Sequence, residues 1–105
     1  WILEHPEPLL QLQRAFLDAG SRALYVPTFG ANRAALRHYG LGGEVEGLNR
    51  GLVALTQSVA KPAGALVGGN LCPTGLFVPP LGDADFDDIY DIYREQVRAL
   101  DEAGV

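Results

Sequence analysis

Twice in this chain an amphipathic stretch closes on an acidic residue, an alanine and a glycine. Residues 18–21 read Asp18-Ala19-Gly20-Ser21, just before the apolar run Ala23-Leu24-Tyr25-Val26. Residues 102–105 read Glu102-Ala103-Gly104-Val105. A glycine just past a helix takes the left-handed conformation that lets the last carbonyls find donors, so both strings read as helix stops. Gly20 leads into a strand, and Gly104 is expected to do the same job for a strand that is missing from this segment. Helix, glycine stop and strand form the repeating unit of parallel α/β structures. The expectation is therefore a segment of a larger strand–helix domain, truncated at both ends.

The remaining patterning agrees. Pro6 and Glu7 open the first helix, where a missing N–H costs nothing and the dipole favours an anion. Leu9, Leu12 and Phe16 recur at helical spacing and predict its buried face. Ala23 to Val26 has the continuous apolar character of a parallel strand covered on both faces, and Pro27, without a donor, ends it. A short helix is predicted around residues 32–39, before Gly40, Gly42 and Gly43. A longer one runs from about Glu44 to Ala60, with Val45, Leu48, Leu52, Leu55 and Val59 as one stripe. Lys61-Pro62-Ala63-Gly64 is a turn and Ala65-Leu66-Val67 the next strand. After a loop rich in proline, residues 83–100 form the last helix, with Phe86, Ile89, Tyr93 and Leu100 inward and Asp83, Asp85, Asp87 and Asp88 at its positive end. This order suits a closed barrel and an open doubly wound sheet equally.

Eight basic residues against thirteen acidic ones give a net charge of −5, and the arginines are scattered. A nucleic-acid partner needs a concentrated basic surface, so none is expected. No apolar run is long enough to cross a bilayer and no basic–apolar leader is present, so the expectation is no membrane partner and a cytoplasmic location. Cys72 is the one cysteine, which excludes an internal disulfide; with only His5 and His38 it makes no metal-ligand spacing.

In parallel α/β folds, ligands bind beyond the carboxyl ends of the strands. Two segments fall there: Thr28-Phe29-Gly30-Ala31-Asn32 and Gly68 to Gly75. Both combine glycine, which lets backbone approach a ligand, with small polar groups that can orient it. The candidate substrate-binding residues are Thr28, Phe29, Gly30 and Asn32 in the first, and Gly69, Asn70 and Thr74 in the second. The competing reading is that Thr28, Asn32 and Thr74 cap helices or turns, and that Asn70 closes a turn through its own backbone. Gly68-Gly69-Asn70 has neither the spacing nor the following Lys-Ser/Thr of a phosphate loop. Cys72 reads as a small apolar filler, and Tyr90 and Tyr93 as packing residues.

With these loops placed, the chain resembles the homocysteine S-methyltransferase family, which includes the barrel domain of cobalamin-dependent methionine synthase and betaine–homocysteine methyltransferase. The resemblance runs almost end to end. It is carried by His5-Pro6-Glu7, Phe16 to Gly20 (FLDAG), Thr28 to Asn32 (TFGAN), Tyr39-Gly40-Leu41, Asn49-Arg50, Gly68 to Gly75 (GGNLCPTG) and Glu102 to Val105.

The resemblance implies a (β/α)8 TIM barrel of about three hundred residues, of which these would supply strands two and three with their helices. It implies zinc held by cysteine thiolates outside this segment, which binds the substrate thiol and presents it as the nucleophilic thiolate to a methyl group. It also implies transfer of a methyl group to or from homocysteine or a related thiol. A corrinoid-linked methyltransferase or demethylase, with methylcobalamin on a partner domain or protein, and a non-catalytic partial-barrel fragment are the alternatives. Family members read Thr-Asn-Thr-Phe across the end of the second strand, and the first threonine helps hold the amino-acid carboxylate. Here Val26-Pro27-Thr28-Phe29 stands there, so position 26 is expected to forgo a hydrogen bond worth about 1.5–3 kcal/mol.

Two strands cannot close a barrel, so the rest of the domain should be required for folding and activity, and these 105 residues alone should be inactive, and unstable or aggregated. A cooperative thermal transition of the monomeric 105-residue piece would overturn that expectation.

Overall fold

The computed structural model describes residues 1–105 as α1 (Glu7–Asp18), β1 (Ala23–Tyr25), α2 (Arg33–Arg37), α3 (Val45–Ala60), β2 (Leu66–Gly68) and α4 (Phe86–Ala103). The element order is the one that the sequence predicts. What stops the helices is common to all four. Gly20, Gly40, Gly64 and Gly104 have φ of +102°, +72°, +64° and +88°. The residue after each glycine donates to the carbonyl five positions back: Ser21 to Phe16 at 2.9 Å, Leu41 to Leu36 at 3.0 Å, Ala65 to Ala60 at 3.0 Å and Val105 to Leu100 at 3.3 Å. Each glycine donates in turn to the carbonyl three positions back, on Leu17, Arg37, Lys61 and Asp101. These are Schellman turns, which satisfy carbonyls that the helix leaves unpaired. The parallel between Gly20 and Gly104 is therefore real, and Gly40 and Gly64 share it.

The strands β1 and β2 are parallel neighbours, with Ala23 opposite Leu66, Leu24 opposite Val67 and Tyr25 opposite Gly68. The bonds from Leu66 N–H to Arg22 and from Val26 N–H to Gly68, both 2.9 Å, extend the ladder at each end. Side chains alternate across a strand, so Leu24 and Val26 point to one face. On that face Leu24 packs with Leu10, Val59 and Ala60, and Val26 packs with Leu52, Val53 and Leu100, while Val67 touches both groups. Full burial of each such side chain contributes about 1.5–3 kcal/mol, and α3 lies at the centre of both clusters.

The opposite face is open. Tyr25 is 76% exposed and Leu66 74%. The expectation of strands covered on both faces thus holds for the helix face alone among these residues. The radius of gyration is 15.1 Å, against about 13 Å for a compact domain of this length.

Two helical stripes differ from the sequence reading. In α1 the buried positions are Leu10 and Gln13, with Leu17 packed beside them, while Leu12 and Phe16 are 56% and 53% exposed. Leu9, Leu12 and Phe16 instead line a hollow of about 420 Å³ with Tyr25 and Pro27, beside the open edge of β1. In α4 the buried seam is Ile92, Gln96, Ala99 and Leu100, and Phe86 is exposed. Glutamines at 13 and 96 fill core positions, so a purely apolar count rotates both faces. The start of α4 is also later than Asp83, because Asp85 is the N-cap, its Oδ1 accepting from Asp87 N–H at 2.8 Å. No helix is long and apolar enough to cross a membrane.

A Cβ at Gly64 meets nothing within 4 Å, so Gly64→Ala tests the backbone alone. The left-handed conformation should cost the alanine variant about 1–2 kcal/mol. In the intact protein that carries this segment, the expected result is a lower denaturant midpoint with an unchanged slope.

Candidate functional site

The ladder ends where Pro27 removes a donor, and the chain turns sharply. Thr28 N–H reaches the carbonyl of Val26 at 2.8 Å, and Ala31 N–H reaches that of Thr28 at 3.0 Å. Phe29 and Gly30 are thus the corners of a turn whose two ends, Thr28 and Ala31, are buried. Phe29 is 55% exposed. Asn32 then caps α2, its Oδ1 accepting from Ala35 N–H at 2.9 Å.

Beyond β2 the second loop runs alongside the first, and two rungs join them. The Thr28 hydroxyl donates to the carbonyl of Asn70 at 2.9 Å and accepts from the Asn70 N–H at 3.1 Å. The Asn32 amide Nδ2 donates to Cys72 Sγ at 3.1 Å. Side chains from the helices hold the pair from behind. Gln96 Nε2, on α4, donates to the Thr28 carbonyl at 2.8 Å and to Asn49 Oδ1 at 3.2 Å. Asn49 Nδ2, on α3, donates to the carbonyls of Ala31 at 2.9 Å and Val45 at 2.7 Å. The Tyr93 hydroxyl donates to the Cys72 carbonyl at 3.1 Å. Thr28, Asn32, Asn49 and Gln96 are wholly sealed from solvent. Gly69 sits where a Cβ would come within 2.8 Å of Leu100 Cδ1, so any larger residue here would require the Leu100 side chain to shift.

The sequence candidates therefore separate by position. The structure brings Thr28, Asn32 and the Asn70 backbone together, but the Thr28 hydroxyl and the Asn32 amide are turned inward and engaged. Phe29 and Gly30 form the exposed apex. Asn70 is half-buried, and its backbone, not its side chain, makes the bonds to Thr28. Thr74 lies further along, its Oγ1 accepting from Leu76 N–H at 3.2 Å in a local turn. The expectation for position 26 needs correcting: Val26 is fully buried among Leu52, Val53 and Leu100 and points away from the loops' open side. Strand alternation causes this, since Tyr25 and Pro27 take the other face. Sequence reasoning missed Asn49 and Gln96, whose one signal is a polar residue at a core position of an amphipathic helix.

Chemically, the two loops offer backbone amides, a side-chain amide, hydroxyls and one aromatic ring, with no carboxylate, imidazole, ammonium or guanidinium. They can orient and enclose a small polar molecule. The charged groups gather elsewhere, in a groove of about 410 Å³ lined by α2, α3 and α4. There Arg33 pairs with Glu95 at 3.2 Å, Arg94 with Asp91 at 2.9 Å, and on its flank Arg50 pairs with Glu46 at 2.7 Å. Their charges compensate one another. Nowhere do three His, Cys, Asp or Glu side chains converge as a metal site.

Two parallel strands joined through helices, with their strand-end loops side by side, are α/β architecture. The homocysteine S-methyltransferase family matches residues 1–105, and the chain belongs to that family. It is 36% identical over 76 residues to the S-methylmethionine–homocysteine S-methyltransferase BHMT2 of Mus musculus, covering 72% of this chain and 20% of that protein. With BHMT2 of Pongo abelii the identity is 32% over 99 residues, 94% of this chain and 25% of that protein. Betaine–homocysteine S-methyltransferase 1 of Mus musculus is 28% identical over 102 residues, 93% of this chain and 24% of that protein. The chain spans a quarter or less of these curated relatives' length.

Thr28→Val keeps the shape of the side chain and deletes both bonds to Asn70. Leaving a buried N–H and carbonyl unpaired should cost about 1–3 kcal/mol, whereas Thr28→Ser, which keeps the hydroxyl, should cost less than about 1 kcal/mol. Chemical denaturation of the two variants beside the parent checks the difference.

Proposed function

We infer that this chain is part of a methyltransferase that moves a methyl group to or from homocysteine or a related thiol. In this reading β1 and β2 are strands two and three of a (β/α)8 barrel, and their loops form part of the substrate end. The observation that carries it is that the family match runs unbroken through both loops that Thr28 joins. The open face of β1 and β2, with Tyr25 and Leu66 outward, would be the face turned to the barrel interior.

Phe29, Gly30, Gly69, Asn70 and Thr74 are the residues that would meet substrate, with Thr28 and Asn32 setting their arrangement. The exposed ring of Phe29 suits the apolar methylenes and sulfur of a thiol amino acid, and Asn70 suits its polar end. The donor set here does not make a zinc site. Cys72 is a lone thiol that accepts from Asn32, and no other metal-ligating side chain joins it. A zinc of the kind that the resemblance implies would be held by other residues, and methylcobalamin on a partner domain or protein is the alternative methyl carrier. Relatives named for transfer to homocysteine from S-methylmethionine or betaine make those the first donors to try.

The test is an assay of the intact protein with homocysteine and each donor, following methionine formation by mass spectrometry. Donor-dependent methionine is expected. If neither homocysteine nor another thiol accepts a methyl group from any of these donors, the reading fails.

A further inference from the structure

Two buried glutamines stand in nearly the same predicament. Gln13 on α1 and Gln96 on α4 are 4% and 0% exposed, and each carries a side-chain carbonyl Oε1 with no hydrogen-bond partner. Burying an amide with its acceptor unspent is unfavourable. For Gln13 the return is a helix-to-helix tie, since its Nε2 donates to Thr56 Oγ1 at 2.9 Å and lies 3.4 Å from the Tyr25 carbonyl. For Gln96 the return is different in kind. Its Nε2 holds the Thr28 carbonyl at 2.8 Å, the start of the turn that exposes Phe29 and Gly30. The hydroxyl of the same threonine fixes both backbone groups of Asn70. The second Gln96 contact reaches Asn49, which holds the carbonyl of Ala31 at the far end of that turn. Both ends of the Phe29–Gly30 turn and the first residues of the second loop are thus referred to one amide on α4.

We propose that Gln96 is a positioning residue: through Thr28 and Asn49 it locks the two substrate loops into one rigid unit, without itself touching substrate. The inference rests on the functional reading above. The Thr28 carbonyl and hydroxyl belong to one residue, so loss of the Gln96 bond frees the Thr28 backbone and should be felt at Asn70 through the position of that hydroxyl.

The experiment compares Gln96→Met with Gln13→Met in the intact protein. Methionine matches the length of glutamine and removes the amide. Both variants should lose some thermal stability. Gln96→Met alone should raise the KM for homocysteine about three- to tenfold, the loss of one modest hydrogen bond's worth of binding, with kcat within about twofold. Amide exchange supplies a readout that needs no activity. The Asn70 N–H should exchange faster in Gln96→Met than in the parent, while in Gln13→Met it should not change. If Gln96→Met does not accumulate as folded protein, Gln96→Leu, which also removes the amide and leaves the Thr28 hydroxyl in place, should give the same KM shift and the same faster exchange at Asn70. Equal KM shifts in the two glutamine variants, or an Asn70 amide unaffected by loss of Gln96, would overturn the proposal. A parent protein that transfers no methyl group to homocysteine or to any other thiol would instead sink the functional reading, and the exchange comparison would still decide the role of Gln96.

Discussion

The site depends on what one hydroxyl does with the two ends of a peptide ladder. Parallel pairing of β1 and β2 brings their carboxyl ends side by side, but Pro27 stops the ladder and the loops would diverge. Thr28 Oγ1 replaces the missing bonds, donating to the Asn70 carbonyl and accepting from its N–H. A hydroxyl can do both because it carries one hydrogen and two lone pairs. The side chain therefore acts as one more rung of the sheet, placed where backbone no longer can. Sealed from water, it faces no competition from solvent, which makes the rung stiff and its loss costly.

The rest of the interior is arranged around keeping that rung dry. Val26 packs with Leu100, Gly69 lies against the Leu100 side chain, and Gln96 one turn before Leu100 on α4 reaches the Thr28 carbonyl. The arrangement leaves a cost in place, an unpaired Gln96 Oε1 in the core. An apolar side chain there would avoid that penalty, but would leave the Thr28 carbonyl without the Gln96 bond and the turn less constrained. The bonds lost would outweigh the acceptor freed, so the amide serves both stability and the geometry of the turn. Surface ion pairs such as Arg94 with Asp91 and Arg50 with Glu46 add little, because each is about half exposed and screened.

How much of this was legible beforehand follows from which interactions are local. The glycine stops, the Asn32 cap and the break at Pro27 depend on residues a few positions apart, so spacing alone reveals them. The same holds for both loops as neighbours, since parallel strand order dictates it. Residues 28 and 70 are joined by contacts across 42 positions, and residues 28 and 96 across 68. No periodicity encodes those. The buried glutamines also misled the helical stripes, because Gln13 and Gln96 look like surface residues in a hydropathy count. Position 26 went astray for a subtler reason. A likeness between strings carries no statement of which face a strand residue takes, and one step along β1 exchanges core for open face.

That alternation bears on what the loops can contribute to chemistry. Most charges in this chain stand on the helices and none in the two loops, while the rim carries amides, hydroxyls, glycines and the ring of Phe29. Such a rim discriminates by shape and by hydrogen bonds of fixed direction, and fixed direction is what a two-point lock provides. It supplies no base to accept a proton and no cation to balance a thiolate. In the proposed reaction these residues would act on the equilibrium of binding, and nucleophile activation would fall to other groups. A rim of that kind pre-sets its hydrogen-bonding groups before substrate arrives, so less ordering entropy is lost on association. Rigidity held by Thr28, Asn49 and Gln96 is then itself a contribution to affinity, made by side chains that no substrate atom reaches.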